Sequence, residues 1–327
     1  MSIVFIGTPA FAVPSLHALA RDGHSIAAVI TQPDRPAGRH QAPRPPPVKI
    51  AAIELGVRVL QPANLRDSDT LIRLRELSPD VIVVVAYGQI LRPAVLEIPT
   101  HGVLNVHPSL LPRWRGASPI PSAILAGDDH TGVTVMLMDA GMDSGPIVAQ
   151  SEAPIDDNDT AASLSDSLSQ VGASLLAETL PRWLAGDIVP RPQDESEATT
   201  CPLLRKEDGA IDWTLPAIDI WRRVRAYNPW PTAFTSLNGE LLRIWQAQPL
   251  ASSSSEAAGA VLDLDEQWAN DLPPSVRNQA AFAVQTGSGV FVPLKVQRSG
   301  RRILTAAEFR RGTPGLIGQR LVSPAPS

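Results

Sequence analysis

The sequence predicts an α/β protein: an open, mostly parallel sheet with helices, followed by a small β-barrel. Three observations carry this. Over the first two hundred residues, apolar β-branched runs alternate with segments of helical period. After about residue 205 the pattern changes to short strands separated by turn signals. Between the two, residues 190–202 are rich in Pro, Glu, Ser and Thr and show no periodicity. The expected organisation is therefore residues 1–189, a linker over 190–205, and a second domain over 206–327, and 327 residues leave room for both.

The elements follow in order. Residues 3–6 read as a buried strand ending at Gly7, with a helix through about Ala20. The turn between them lacks the Gly-x-Gly-x-x-Gly spacing that seats a dinucleotide pyrophosphate, so neither NAD nor ATP is expected there. A second strand over 27–31 precedes a proline-rich loop, and helices are expected near 48–55 and 68–77. Residues 80–86 are apolar on both faces, as a central parallel strand is. The next strand carries Asn105 and His107 two residues apart, so both side chains leave one face, and Pro108 ends it. A helix near 119–126, a strand near 131–138 and a long helix near 161–184 complete the first domain. The second opens with a helix near 216–226. Asn238 and Gly239 mark a hairpin between strands at 234–237 and 241–245, and further strands fall near 259–264, 281–286 and 290–296.

Composition sets limits. A hydrophobic fraction of 44% and a charged fraction of 19% describe an ordinary soluble globular chain. No run of eighteen apolar residues implies a membrane helix, and the N-terminus enters a strand without a signal-peptide pattern. The single Cys201 excludes an internal disulfide, and the six His show no metal-binding spacing, so no metal is expected. A cytoplasmic monomer with no membrane or DNA partner is the expectation. The net charge of −5 argues against a general nucleic-acid coat, yet residues 1–205 carry −7 and residues 206–327 carry +2. That asymmetry is a weak pointer to an anionic partner for the second half.

An amide and an imidazole at the carboxyl end of an apolar strand are costly to bury without partners. Alone, they read as a satisfied polar pair. Their context is more specific: Asn105, His107, Ser109, Leu110, Leu111 and Pro112 form Asn-x-His-x-Ser-Leu-Leu-Pro, and Asp143 follows two residues before Gly145. With these stand the run Thr-Gln-Pro-Asp-Arg-Pro-Ala-Gly-Arg at 31–39, Val-Val-Ala-Tyr-Gly at 84–88, Gly-Val-Thr at 132–134 and Asn-Pro-Trp-Pro at 228–231. Together they strongly resemble the formyltransferases that use 10-formyltetrahydrofolate, and the resemblance runs from Ile3 to about Val322.

The resemblance implies a Rossmann-like formyltransferase domain and an OB-like β-barrel. It implies transfer of a formyl group from 10-formyltetrahydrofolate to the amino group of initiator methionyl-tRNA. Formyl transfer needs a donor for the developing oxyanion, which the Asn105 amide supplies, and a group titrating near neutrality, which is His107. Asp143 then orients His107 or relays a proton; its bland reading is a loop residue capping a turn beside Gly145. Ser109, Leu110, Leu111 and Pro112 match the folate-contacting segment, an apolar loop whose open backbone groups suit a flat pterin. Tyr87, Gly88 and Asp139 are expected to complete the pocket.

The loop over 31–48 carries six prolines, with Arg35, Arg39, Arg44 and then Lys49. It is either a proline-stiffened surface loop or, as the family implies, the insertion that meets the tRNA acceptor end. Little apolar surface makes it an expected mobile segment in the absence of tRNA. His40, Gln41 and Ala42 replace the lysines common in that family after the Gly-Arg. Arg301 and Arg302 lead a basic stretch from Lys295 to Arg320 that contains a single acid, Glu308, and are expected to meet tRNA phosphates. Two other readings stay open: a formyltransferase of the same fold acting on an amino sugar or small amine, and a non-catalytic tRNA- or folate-binding protein.

Overall fold

Seven strands form the sheet of the first unit: β1 (Ser2–Gly7), β2 (Ser25–Ile30), β3 (Val59–Leu60), β4 (Val81–Val85), β5 (Val103–His107), β6 (His130–Leu137) and β7 (Ile147–Pro154). Their order is β7-β6-β5-β4-β1-β2-β3. The computed structural model describes residues 1–37, 42–252 and 254–323. The five strands from β5 to β3 are parallel, and β4 is buried along its whole length, as its uninterrupted valines and isoleucine require. β6 runs antiparallel to β5, and β7 antiparallel to β6. β7 escaped the sequence reading because it is an edge strand with partly exposed Gln150, Ser151 and Glu152 in place of an apolar run.

Helices α1 (Val13–Arg21), α2 (Pro47–Glu54), α3 (Ser68–Glu76) and α4 (Pro93–Leu96) connect the parallel strands. After β5 come α5 (Pro119–Ala126) and, later, α6 (Ala161–Leu184). α6 lies against one face of the sheet: a Cβ on Gly172 would stand 3.0 Å from Val106 Cγ1 and 3.4 Å from Val133 Cγ1. Val106 points to α6, so Asn105 and His107, on alternate positions of the same strand, point to the opposite face.

One compact unit comprises residues 1–119, 129–155 and 164–202, and the other 120–128, 156–163 and 203–327. Residues 190–202, expected as a linker, are bonded to the first unit. Thr200 and Cys201 pair in parallel with Arg115 and Gly116, and Arg191 bridges Ile147. The second unit holds α7 (Ala217–Ala226) and an antiparallel sheet of β8 (Ala233–Leu237), β9 (Glu240–Leu250), β10 (Val261–Asp263), β11 (Phe282–Gln285), β12 (Val290–Arg298), β13 (Leu304–Thr305) and β14 (Leu321–Val322). β14 pairs with β8, and just before it Arg320 bridges Ala260 at the entry to β10, so the two edges of the sheet are joined. Phe282, Phe291, Trp213 and Phe309 are among the residues filling the interior. Two helices of this unit, α8 (Glu266–Asp271) and α9 (Ala306–Arg311), were not expected from the sequence, and each is a single short turn begun by its own cap.

The proline-rich loop is shaped rather than formless where it is described. Arg35–Ala37 and Ala42–Arg44 pair as a two-stranded ribbon, with prolines at the facing positions 36 and 43.

Candidate active site

β5 ends in a buried polar pair, Asn105 and His107. Asp143 reaches them by a route the sequence did not suggest. Because β6 is antiparallel to β5, it exits beside the start of β5, where Met138 N–H donates to the Val103 carbonyl. The chain then folds back, and Leu137 N–H bonds the Pro146 carbonyl. Gly145 makes this return possible, since a Cβ there would lie 1.9 Å from the Leu137 oxygen. At the crest Asp143 takes a left-handed backbone, φ 52°. Its Oδ1 accepts from Asn105 Nδ2 at 3.5 Å, its Oδ2 accepts from the Gly116 amide at 2.9 Å, and Oδ2 stands 3.7 Å from His107 Nδ1.

The other nitrogen of His107 is committed. Nε2 lies 3.0 Å from the Trp114 carbonyl, which only accepts, so Nε2 carries the proton. Nδ1 is left as the nitrogen that exchanges a proton, and it faces the Asp143 carboxylate. Trp114 presents its carbonyl from a left-handed conformation, φ 62°. This imidazole–carboxylate pair beside an amide donor can hold, accept and return a proton next to a developing oxyanion.

Residues 109–112 are fixed by Thr134. Its hydroxyl donates to the Ser109 carbonyl at 2.6 Å and accepts from Leu111 N–H and Gln150 Nε2. Gln150 also donates to the Leu111 carbonyl, and the Leu110 carbonyl accepts from Arg113 N–H. The Gly-Val-Thr run now has a physical reason: a Cβ on Gly132 would meet Leu110 Cδ2 at 2.6 Å. The carbonyls of Ser109, Leu110 and Leu111 each accept an internal bond, so the loop is held from within. The Ser109 hydroxyl is likewise turned inward, donating to the Arg113 carbonyl. Leu110 to Arg113 form one wall of a cleft of about 810 Å³ whose other side includes Arg191 and Gln193.

Tyr87 does not offer its ring to this site. It is 3% exposed and packs among Val4, Ile6 and Leu74, and burial pushes its phenol up to about 12. Gly88 is exposed with φ 84° and open space where a Cβ would be. Asp139 is exposed, and its carboxylate accepts from Gly141 N–H and the Ser144 hydroxyl, so it shapes the return loop.

Sequence reasoning missed three groups that hold the site: the Trp114 carbonyl, the Gly116 amide and Gln193. Main-chain groups leave no compositional signal. Gln193 lies in the stretch read as a linker, yet its Nε2 donates to the carbonyls of Asp143 at 2.8 Å and Gly145 at 2.7 Å.

The residues expected to meet tRNA are scattered. Arg39 lies outside the described residues. Arg35 and Arg44 face each other across the ribbon and are exposed. Lys49 is a correction: its ammonium is paired with Asp34 at 2.8 Å, and hydrogen bonds from Gln61 and Lys49 hold that carboxyl below the usual range. Arg301 and Arg302 are exposed, with Arg302 3.6 Å from Glu308. The basic stretch is less bare than its composition suggested, because Arg298 pairs with Glu240 and Arg310 with Asp263 from distant strands.

The comparisons with known proteins agree with this geometry. Residues 1–180 match the formyl transferase family model, and residues 203–314 match its C-terminal domain. The chain belongs to the formyl transferase family. A curated methionyl-tRNA formyltransferase of Chloroflexus aggregans is 49% identical to this formyltransferase over 312 residues, 95% of this chain and 97% of that one. One from Roseiflexus sp. is 47% identical over 98% of this chain and 95% of its own. Among solved structures, an N-formyltransferase from Helicobacter canadensis in complex with folinic acid and dTDP-3-aminofucose superposes with a TM-score of 0.64 at 19% identity, covering 90% of this chain and 98% of that one. HypX from Aquifex aeolicus with tetrahydrofolic acid gives 0.62 at 18% identity, covering 94% of this formyltransferase and 46% of HypX. At such identities the likeness is one of fold.

Proposed function

We infer that this chain transfers a formyl group from 10-formyltetrahydrofolate to the amino group of methionyl-tRNA, giving N-formylmethionyl-tRNA for translation initiation. The observation that carries the reading is the near-full-length relationship to the Chloroflexus protein, which spans both units. The site supplies the chemistry. As the amine attacks the formyl carbon and a carbon–nitrogen bond forms, Asn105 donates its amide hydrogen to the oxygen that becomes negative. The Asp143–His107 pair takes the proton that the attacking nitrogen must lose. Asp143 is the acceptor bonded to the Asn105 amide, and His107 Nδ1, 3.7 Å from its Oδ2, takes up the proton once the two close to hydrogen-bond distance. When the carbonyl re-forms, the pair gives that proton to the departing nitrogen.

A folate fits the residues present: Leu110 offers an apolar side chain, and the main chain at Gly88 is open to approach. Ser109 and Leu111 support this wall through the Thr134 and Gln150 bonds, and Pro112 through its carbonyl, which accepts from Thr199 N–H. Arg35, Arg44, Arg301 and Arg302 contribute the charge that meets the tRNA. The protein acts as a cytoplasmic monomer.

Incubation with 10-formyltetrahydrofolate and either methionyl-tRNA or amino sugars, followed by mass analysis, tests the reading. A formyl mass gain on methionine released from the tRNA is the expected result. Formylation of the sugars alone would overturn it, and so would no formylation of either.

A further inference from the structure

Residues 190–202 carry no sequence motif, but Gln193 bonds the main chain of Asp143, and Thr199 bonds Trp114, whose carbonyl holds His107. Resting on the reading of Asp143 above, we propose that Gln193 is a positioning residue for Asp143, locked in place by Arg115 and Glu195. The segment that leads to the second unit is then part of the catalytic apparatus.

The orientation of Gln193 is set by what surrounds it. Arg115 is 7% exposed, and its guanidinium can only donate. Its Nε donates to Gln193 Oε1 at 2.9 Å, so the amide oxygen must face Arg115. The NH2 group is therefore turned toward the return loop, where its two hydrogens meet the carbonyls of Asp143 and Gly145. Arg115 itself is held by a two-pronged bond to Glu195, at 2.8 and 3.0 Å. These bonds straddle the crest at which Asp143 adopts its left-handed backbone.

The same segment holds the partner strand. Thr199 Oγ1 accepts from Trp114 N–H at 2.9 Å, the Thr199 carbonyl accepts from Arg115 N–H, and the Cys201 carbonyl accepts from Ala117 N–H. That short stretch is the one that presents the Trp114 carbonyl to His107 and the Gly116 amide to Asp143. Gly116 has no substitute here, since a Cβ would stand 2.5 Å from the Cys201 oxygen. Residues 190–202 thus fix the imidazole from one side and the carboxylate from the other. Shifts of a fraction of an ångström between such groups change rates far more than binding.

The test is a double-mutant cycle with Gln193→Met, which keeps length and removes both donors, and Asp143→Asn. Asp143→Asn is expected to lower kcat at least ~10²-fold, the scale of a lost acid–base group. Gln193→Met is expected to lower kcat about 10-fold with both KM values held within about two-fold. In the Asp143→Asn background it should cost less than about two-fold, because nothing is left to position. Glu195→Gln, at an exposed site safe for folding, should show the same pattern with a smaller loss. Equal losses in both backgrounds, or no loss from Gln193→Met in a folded protein, would overturn the positioning role while leaving Asp143 catalytic. Wild-type turnover in Asp143→Asn would overturn the catalytic reading and this inference with it.

Discussion

His107 turns its two ring nitrogens to different partners. Nε2 anchors the ring to the Trp114 carbonyl, and Nδ1 faces the Asp143 carboxylate at 3.7 Å. His107→Ala and Asn105→Ala should each lower turnover at least ~10²-fold with the fold intact, as measured by initial rates beside thermal melts. Tyr87 gives a residue-scale prediction of another kind. Its phenol is pushed up to about 12 by burial, whereas an unfolded chain ionises it near 10. The folded state favours the neutral phenol, so its contribution is complete below about pH 10 and is lost as pH rises toward about 12. Among the described residues no partner reaches its hydroxyl. Tyr87→Phe should therefore match or exceed the wild type in denaturant melts at pH 7 and lose less stability at pH 11. Asn105, His107 and Asp143 were legible as candidates in the sequence because their residue types and spacing suit formyl transfer, and the fold brings the three together. The inward turn of Tyr87 was not, because two residues after β4 either side chain direction fits the same letters.

Among the elements, the stretch over 190–202 shows how composition misleads. Its prolines and acids read as a slack connection, and its order comes from partners far away in the chain. Glu195 is held below the usual carboxylate range by its bond to Arg115. A lowered value means the bond's contribution is present above the ordinary glutamate range, near 4.3, and is lost as pH falls through the folded value. Limited proteolysis of this stretch should quicken on acidification in the wild type, whereas Glu195→Gln should already be quick at pH 7. The ribbon of residues 35–37 and 42–44 makes a separate case. Its pairing of Arg35 with Arg44 puts two cations side by side. Arg35→Ala and Arg44→Ala should raise KM for methionyl-tRNA while leaving that for folate unchanged. Lys49→Ala should instead lower the melting temperature, since it strands the partly buried Asp34 carboxylate. Helix and strand periods exposed most elements of the first unit. They missed β7, an edge strand whose polar residues break the apolar run, and the two-residue strand β3, which is too short to show a period.

For the molecule as a whole, charge was readable as a total and not as a surface. The sequence shows seven cations against one acid between Lys295 and Arg320, and the fold brings Glu240 and Asp263 to two of them. Two of the seven cations are thereby held by carboxylates of the same unit. Arg301→Ala with Arg302→Ala should flatten the slope of log affinity for tRNA against log salt by at most about two units, roughly 0.9 per lost phosphate contact. Filter binding across a salt series measures it. The alternation of strands and helices made the first unit's architecture legible. The joining of the barrel edges was hidden, because it rests on two-residue β14 and a single bridge.

That joining bears on how the protein is made. The segment over 318–322 is sandwiched: Val261 N–H donates to the Gln319 carbonyl and Leu321 N–H to that of Gly259 on one side, while Leu321 and Val322 pair with Leu237 and Ser236 on the other. The ribosome adds these residues after every other strand of the second unit has been synthesised. Until they clear the exit tunnel, two strands wait with bare rows of amides and carbonyls, the surfaces on which neighbouring nascent chains adhere. Completion of this unit waits for that last segment, and a chain cut before Gly318 would yield a barrel with an open seam.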